Sequence, residues 1–284
     1  MKLKQYIQRG IHYIRHGQPV VKVVIKTINY KESLDGRTAL ITGGTSGIGF
    51  KIAECYLNAG ATVVITGRNI EKLKKAKQEL LRISPNVYAF QLDNCKVDSF
   101  NSTFKKITCT EGIGKIDILV NNAGILGGNI KTSTVEEYNK VMDANLRGVF
   151  FLSRIFARYL IANNIKGNIL NIASSSSLRP ADSAYNLSKW GVRGLTLGLA
   201  KSLIPYGITV NGIAPGPTAT PMMGKTENIV HPTLPLGRFI TPEEIANMAV
   251  VMVSDMGKSI IGDIVYMTGG AGIITFDDAP CTFK

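Results

Sequence analysis

Cysteine is scarce in this chain. Cys55, Cys95, Cys109 and Cys281 are scattered along 284 residues, with no CxxC pair and no clustered histidines. Such spacing excludes a disulfide framework and gives no metal site, and it implies a reducing compartment. No apolar run is long enough to span a bilayer. The basic start is followed by no sustained apolar core with a small-residue cleavage site, so no secretory signal is expected and the expected location is the cytoplasm. Internal repeats, low-complexity tracts and a proline-rich linker are lacking too. Acidic residues are the minority charge, 20 against 33 Lys and Arg, for a net +13. Residues 1–37 alone hold eight basic and two acidic residues. A basic surface attracts phosphorylated cofactors, acidic carrier proteins, membrane surfaces or nucleic acid, and charge does not choose among them.

What is present is a chain of 284 residues, 45% hydrophobic, long enough to bury a large core unaided. Between Arg37 and Gly270 short β-rich runs alternate with helical patterns. Strands are expected over 38–41, 61–66, 87–91, 116–120, 168–172, 208–213 and 263–267. Helices are expected over 48–59, 70–82, 97–107, 183–203 and 242–253, with one or two more in 135–160. Nearly all the strands are continuously apolar, as strands covered on both faces are. Alternating strand and helix implies a parallel sheet between two helical layers. The expected fold is therefore α/β: a three-layer, doubly wound, parallel seven-stranded sheet in a single domain. Residues 1–36 read as a basic N-terminal arm, 37–270 as the domain and 271–284 as a tail. Leu3, Tyr6, Ile7, Ile11 and Ile14 fall near helical spacing in the arm. That suits packing on the domain or a neighbouring subunit, with docking to a membrane surface as the alternative.

The first strand runs into Thr42-Gly43-Gly44-Thr45-Ser46-Gly47-Ile48-Gly49 and then a helix. A glycine-rich turn at a helix N-terminus presents backbone N–H groups and the positive end of the helix to an anion such as a pyrophosphate. Gly43 suits the tight turn, Gly47 lets the backbone approach phosphates and Gly49 lets the helix sit close to the sheet. Tyr185 and Lys189 are four apart on an expected helix, so they share one face one turn apart.

With Asn121-Asn122-Ala123-Gly124, Tyr185-x-x-x-Lys189 and Pro215-Gly216, the Thr-Gly-x-x-x-Gly-Ile-Gly motif resembles the signature set of the short-chain dehydrogenase/reductase family. The four motifs stand in that family's order over roughly residues 37–270. The resemblance implies a Rossmann fold, an oxidoreductase activity and a nicotinamide dinucleotide. Its phosphates and adenosine would meet Gly43, Thr45, Ser46, Gly47, Ile48 and Gly49, with Asp93 beside the adenine. Asn122, Ala123 and Gly124 would line its ribose side. Pro215, Gly216, Thr218 and Thr220 would face the nicotinamide end, while Asn121 would tie strands together. At the end of the second strand, Gly67 stands where NAD-preferring relatives carry Asp, and Arg68 follows. A guanidinium suits a 2′-phosphate, so NADP(H) is expected, with NAD(H) as the alternative.

The chemistry explains the Tyr–Lys pairing. Reducing a ketone takes a hydride at carbon and a proton at oxygen. A phenol has a pKa of about 10, and a nearby ammonium favours the phenolate and lowers that value. Tyr185 and Lys189 fill these roles by resemblance, and Lys189 would also hold the nicotinamide ribose. The family serine that positions the substrate oxygen aligns with Ser174, leaving Ser175 and Ser176 as alternatives. The segment from Ser174 to Tyr185 is two residues shorter than in most relatives, a deletion placed after Pro180. Asn145 matches the fourth family position, where its amide would bend a helix and hold a water linked to Lys189. Met222 to Phe239 resembles the substrate lid, with His231 as a lid surface residue.

The implied function is NADP(H)-dependent interconversion of a carbonyl and a secondary alcohol, resembling 3-oxoacyl-carrier-protein reductases. A sugar, polyol or steroid-type alcohol dehydrogenase is the alternative, and a non-catalytic cofactor-binding subunit the remote one. Relatives pair through helices here spanning 135–160 and 183–203, so a homo-oligomer is expected, a tetramer by resemblance. The basic residues form no nucleic-acid recognition motif.

Overall fold

A computed structural model describes residues 29–224 and 229–271. Residues 1–28 of the arm, 225–228 of the lid stretch and the tail from residue 272, Cys281 included, lie outside the described residues. Seven strands form one sheet in the order β3-β2-β1-β4-β5-β6-β7. They are β1 (Thr38–Ile41), β2 (Thr62–Gly67), β3 (Val87–Gln91), β4 (Ile118–Asn121), β5 (Asn168–Ile172), β6 (Thr209–Pro215) and β7 (Ile264–Met267). Every pairing is parallel, with Ile41 opposite Ile65 and Val120, and Asn121 opposite Asn171.

The helices are α1 (Gly47–Asn58), α2 (Ile70–Leu80), α3 (Phe100–Thr108), α4 (Val135–Met142), α5 (Gly148–Ala162), α6 (Ala184–Leu203) and α7 (Pro242–Val253). Side chains alternate across a strand, and the core divides accordingly. Ala39, Ile41, Val63, Ile65, Ile118 and Val120 face α1, α2 and α7. Leu40, Val64 and Leu119 face the other way, onto Phe100, Phe104, Leu152 and Phe156 of α3 and α5. Burial on both faces is why these strands read as unbroken apolar runs.

Polar side chains fix where the helices begin. Asn69, Thr134 and Ser183 each accept a backbone N–H in the first turn of α2, α4 and α6. Thr241 and Glu244 form a reciprocal capping box on α7. The expected helical stretch 135–160 is two helices separated by a π-helical turn, Asp143–Arg147. The helix expected from residue 97 opens with a 3-10 turn, Val97–Ser99.

Residues near the start of the described chain pack on this body. Leu34 is fully buried and its N–H donates to the Ala59 carbonyl at 2.8 Å. The Tyr30 hydroxyl reaches Asn247 Oδ1 at 3.2 Å. At the N-terminal edge of the sheet the Arg37 guanidinium joins the Asp117 carboxylate, Asn168 and the Val253 carbonyl. The opposite edge, where the strand order turns back between β1 and β4, carries the candidate site. Ligands of open α/β sheets bind at such a switch point.

Candidate active site

The turn after β1 is built for close approach. Gly43 has φ +65 and Gly47 φ +55, a left-handed backbone that disfavours side chains. A Cβ on Gly43 would lie 2.9 Å from Ala123 Cα, and one on Gly49 would lie 2.3 Å from Asn122 Nδ2. The two turns are thus laced together, and hydrogen bonds complete the lacing. The Asn122 and Ala123 N–H groups donate to Thr42 Oγ1 at 3.0 and 3.1 Å. Asn122 Nδ2 donates to the Thr42 and Gly43 carbonyls. Ser46, exposed, stands before α1 in an extended conformation and makes no side-chain cap bond. The first-turn N–H groups of α1 are therefore not capped by its hydroxyl, and they suit an anion. Ile48 packs on the core beneath, and a Cβ on Gly47 would lie 3.4 Å from Thr220. These backbone cradles and close approaches fit a dinucleotide pyrophosphate.

Beyond β2, Gly67 lies under Thr45, whose Cγ2 would be 2.7 Å from a Cβ at that position. Arg68 is exposed, and its carbonyl accepts from Gln91 Nε2 at 2.9 Å. Asp93 turns its carboxylate onto the Cys95 N–H at 3.1 Å. Thr66 on β2 is buried with a hydroxyl that has no partner. On the far side, Pro215 ends β6, Gly216 runs against Thr268, and Thr218 and Thr220 are buried. Thr218 Oγ1 donates to the Gly216 carbonyl at 2.9 Å, which fixes that turn.

The catalytic candidates converge at the ends of β4 and β5. Tyr185 and Lys189 lie one turn apart on α6, with the Lys189 ammonium 5.7 Å from the Tyr185 ring centroid. Lys189 is 5% exposed. Its Nζ donates to the Ile172 carbonyl at the end of β5, at 2.8 Å, leaving two of its three donors for other partners. Burial without an anionic partner lowers its pKa to about 8. Burial also raises the Tyr185 phenol, partly offset by a hydrogen bond with the Ser174 side chain. Both groups are thus held toward their neutral forms.

The four serines after β5 separate by contact. Ser174 reaches Tyr185, and its Oγ accepts the Ser176 N–H at 3.1 Å. Ser177 is fully buried; its Oγ donates to the Ser174 carbonyl at 2.7 Å and lies 3.2 Å from the Tyr266 hydroxyl on β7. Ser175 is buried in the turn. The sequence reading selected Ser174 by resemblance and left Ser175 and Ser176 open; the contacts that separate them are made by β7 and α6.

Asn145 occupies the middle of the π-helical turn and is 1% exposed. Its Oδ1 accepts the Ile125 N–H at 2.8 Å, and its Nδ2 donates to the Ile125 carbonyl at 2.9 Å and to Ser188 Oγ at 3.2 Å. A Cβ on Gly124 would sit 3.4 Å from Asn145 Oδ1 and 3.8 Å from Lys189 Nζ. Gly124, Asn145 and Lys189 therefore meet at one point. Asn121 is buried and donates to Ser153 on α5 and Asn171 on β5 at 2.9 and 2.8 Å, tying strand to strand and to helix. His231 lies away from this group; it hydrogen-bonds Thr233 and packs edge-on to Phe239. Among the described residues no group of His, Cys, Asp and Glu is placed to hold a metal, and no helix is long and apolar enough to cross a membrane.

A glycine turn at the switch point and a Ser, Tyr and Lys group at the strand ends define a dinucleotide-dependent oxidoreductase architecture. Residues 37–229 match the model of the short chain dehydrogenase family. The chain is 35% identical over 250 residues to a 3alpha-hydroxysteroid dehydrogenase of Mediterraneibacter gnavus, covering 84% of this chain and 98% of that protein. It is 33% identical over 246 residues to the 3-oxoacyl-[acyl-carrier-protein] reductase FabG of Aquifex aeolicus, with the same coverage of both chains. Among solved structures it resembles a 3-ketoacyl-(acyl-carrier-protein) reductase from Brucella melitensis complexed with NADH. The TM-score is 0.77 at 30% identity, over 85% of this chain and all of that one. A short chain dehydrogenase from Burkholderia cenocepacia in complex with NADP gives a TM-score of 0.76 at 30% identity, over 85% and 100%. The chain belongs to the short chain dehydrogenase/reductase family. It is an enzyme, an oxidoreductase that interconverts a carbonyl and an alcohol.

Proposed function

We propose that this enzyme is an NADP(H)-dependent reductase of 3-oxoacyl groups carried as thioesters on an acidic carrier protein. The observation that carries the chemistry is the convergence of Ser174, Tyr185 and Lys189 beside Gly124. The net charge of +13 supports an anionic partner, as does similarity to the Aquifex aeolicus reductase. Hydroxysteroid oxidation is the second reading, favoured by the 35% identity to the Mediterraneibacter gnavus enzyme.

In this reading Gly43, Thr45, Ser46, Gly47, Ile48 and Gly49 hold the pyrophosphate and adenosine, with Asp93 at the adenine. Asn122, Ala123 and Gly124 line the ribose side, and Pro215, Gly216, Thr218 and Thr220 meet the nicotinamide end. Arg68 holds the 2′-phosphate, since Gly67 brings no carboxylate to repel it. The bound dinucleotide supplies the hydride. Ser174 orients the substrate oxygen. Tyr185, kept protonated by its burial, gives its phenolic proton to that oxygen as the carbon is reduced. Lys189 then stabilises the phenolate and anchors the nicotinamide ribose. Asn145, held by Ile125 and Ser188, positions a water through which the phenol regains a proton from solvent.

The same reading places residues 1–36 and 271–284 as appendages of a domain over 37–270, and the enzyme in the cytoplasm as a homo-oligomer, a tetramer by resemblance. Phe150 on α5 with Trp190 and Leu197 on α6 are exposed apolar side chains suited to helix pairing between copies.

The test is nicotinamide fluorescence on titration with NADPH and NADH, in wild type and Arg68→Ala. NADPH should bind more tightly, and Arg68→Ala should remove the difference. Equal or tighter binding of NADH by the wild type overturns the dinucleotide reading. A comparison of acetoacetyl-CoA with a 3-oxosteroid then separates the two substrate classes.

A further inference from the structure

Of the three α6 residues between the two catalytic candidates, Ser188 is fully buried. Its Oγ donates to the Tyr185 carbonyl at 2.7 Å. Alone, that bond is the ordinary back-bond of a mid-helix serine. The same oxygen, however, accepts Asn145 Nδ2 from the π-helical turn at 3.2 Å. The other Asn145 contacts go to both backbone groups of Ile125, the residue after Gly124. One hydrogen-bonded chain thus runs from the β4 loop through Asn145 and Ser188 to the backbone of Tyr185.

The seam it crosses is tight. One turn further along α6, a Cβ on Gly191 would lie 2.6 Å from Leu146 Cδ2 of the π-helical turn. Leu146 packs on the small buried cluster that includes Val192. The helix can neither slide nor rotate against the turn without breaking the bond from Asn145 Nδ2 to the Ser188 hydroxyl, whose other bond, to the Tyr185 carbonyl, moves with the helix. Without the hydroxyl, one Asn145 N–H would be buried unpaired, and the turn would have to shift to recover a partner.

We propose that Ser188 is a positioning residue, which locks the turn bearing Tyr185 to the π-helical turn of Asn145 and so sets the phenol against the Gly124 side of the site. The proposal rests on the catalytic reading of Tyr185 and Asn145 above. Loss of the hydroxyl should misplace the phenol, since small displacements of a reacting group are costly in rate. The glycine turn should keep its shape, so cofactor affinity should hold.

The experiment compares Ser188→Ala, Ser188→Cys and Asn145→Ala, singly and with Ser188→Ala added to Asn145→Ala. Turnover is measured on whichever of acetoacetyl-CoA or a 3-oxosteroid the wild type reduces, with NADPH affinity read by fluorescence. Hydrogen exchange of the cofactor-free protein over residues 143–148 and 184–190 needs no substrate. Ser188→Ala should lower kcat about tenfold, leave the NADPH Kd within about twofold, and add little to Asn145→Ala. Exchange should rise in both segments, and Ser188→Cys, a weak donor, should fall between wild type and alanine. Wild-type kcat in Ser188→Ala, full additivity with Asn145→Ala, or faster exchange confined to 184–190 would overturn it. Retained activity in Tyr185→Phe would instead overturn the catalytic reading on which it stands.

Discussion

The Lys189 ammonium lies 5.7 Å from the centre of the Tyr185 ring, and its nitrogen is 3.8 Å from where a Cβ on Gly124 would sit. One lysine thus faces both the proton-donor candidate and the Gly124 turn, with no carboxylate among the described residues paired to it.

That isolation carries a cost in the cofactor-free protein. Burial holds the Lys189 pKa at about 8, below the ordinary lysine value of 10.5. The unfolded chain therefore binds more protons between those two values, and stability rises with pH across that window. Below about pH 8 the cost of the buried charge is fully present. Lys189→Met removes it along with the bond to the Ile172 carbonyl, for a net gain of about 1–2 kcal/mol near pH 7. Urea unfolding of the cofactor-free proteins should show the variant more stable at pH 7 and the gap closing as pH approaches 10. A gap independent of pH contradicts this account.

Two glycines should separate fold from binding. Gly49→Ala drives a methyl group to 2.3 Å from Asn122 Nδ2 and 2.4 Å from the Gly43 carbonyl, and should cost about 1–3 kcal/mol of stability. Gly124→Ala meets only ordinary contact distances, 3.4 and 3.8 Å. It should leave the melting temperature nearly unchanged while weakening NADPH binding at least several-fold. Thermal melts with and without NADPH distinguish the two effects.

The proposed dinucleotide preference has a steric part. Gly67 does not have a positive φ, so its backbone would admit a side chain, but Thr45 Cγ2 lies 2.7 Å from the position of its Cβ. Threonine is stiff at χ1. Gly67→Asp alone should therefore bind neither dinucleotide well. With Thr45→Ala added, the carboxylate gains room to meet a 2′-hydroxyl, and NADH should bind more tightly than NADPH. Fluorescence titration of the single and double variants checks this; equal NADH affinity in both contradicts the steric argument.

Much of this arrangement could be read from the residues. Strands at 38–41, 87–91 and 168–172 were expected at the bounds the structure gives. Runs of mostly apolar residues ended within two or three residues by Gly, Asp or Ser bound all three, although β3, at the sheet edge, is only half-buried. The π-helical turn was hidden, because Asp143-Ala144-Asn145-Leu146-Arg147 is compatible with a continuous helix. What sets the wider turn apart is contact with Ile125 and Ser188, distant in sequence. Ser188 carried no signal for the same reason. Resemblance selected Ser174 and left Ser175 and Ser176 open, while the contacts that tell the serines apart, Ser177 with Tyr266 and Ser174 with Tyr185, come from residues distant in sequence. Arg68 was legible by its place after β2, yet no side-chain partner in the described structure orients it.

The most direct test of the central claim is NADPH consumption with acetoacetyl-CoA and a 3-oxosteroid by wild type and Tyr185→Phe, with NADPH affinity measured in parallel. The account predicts turnover of a carbonyl substrate by the wild type. Tyr185→Phe should lose about 10²- to 10⁴-fold in kcat while its NADPH Kd stays within about twofold, because the ring keeps its place on α6 and only the hydroxyl is removed. Turnover by Tyr185→Phe at the wild-type rate would contradict the assignment of Tyr185 as proton donor.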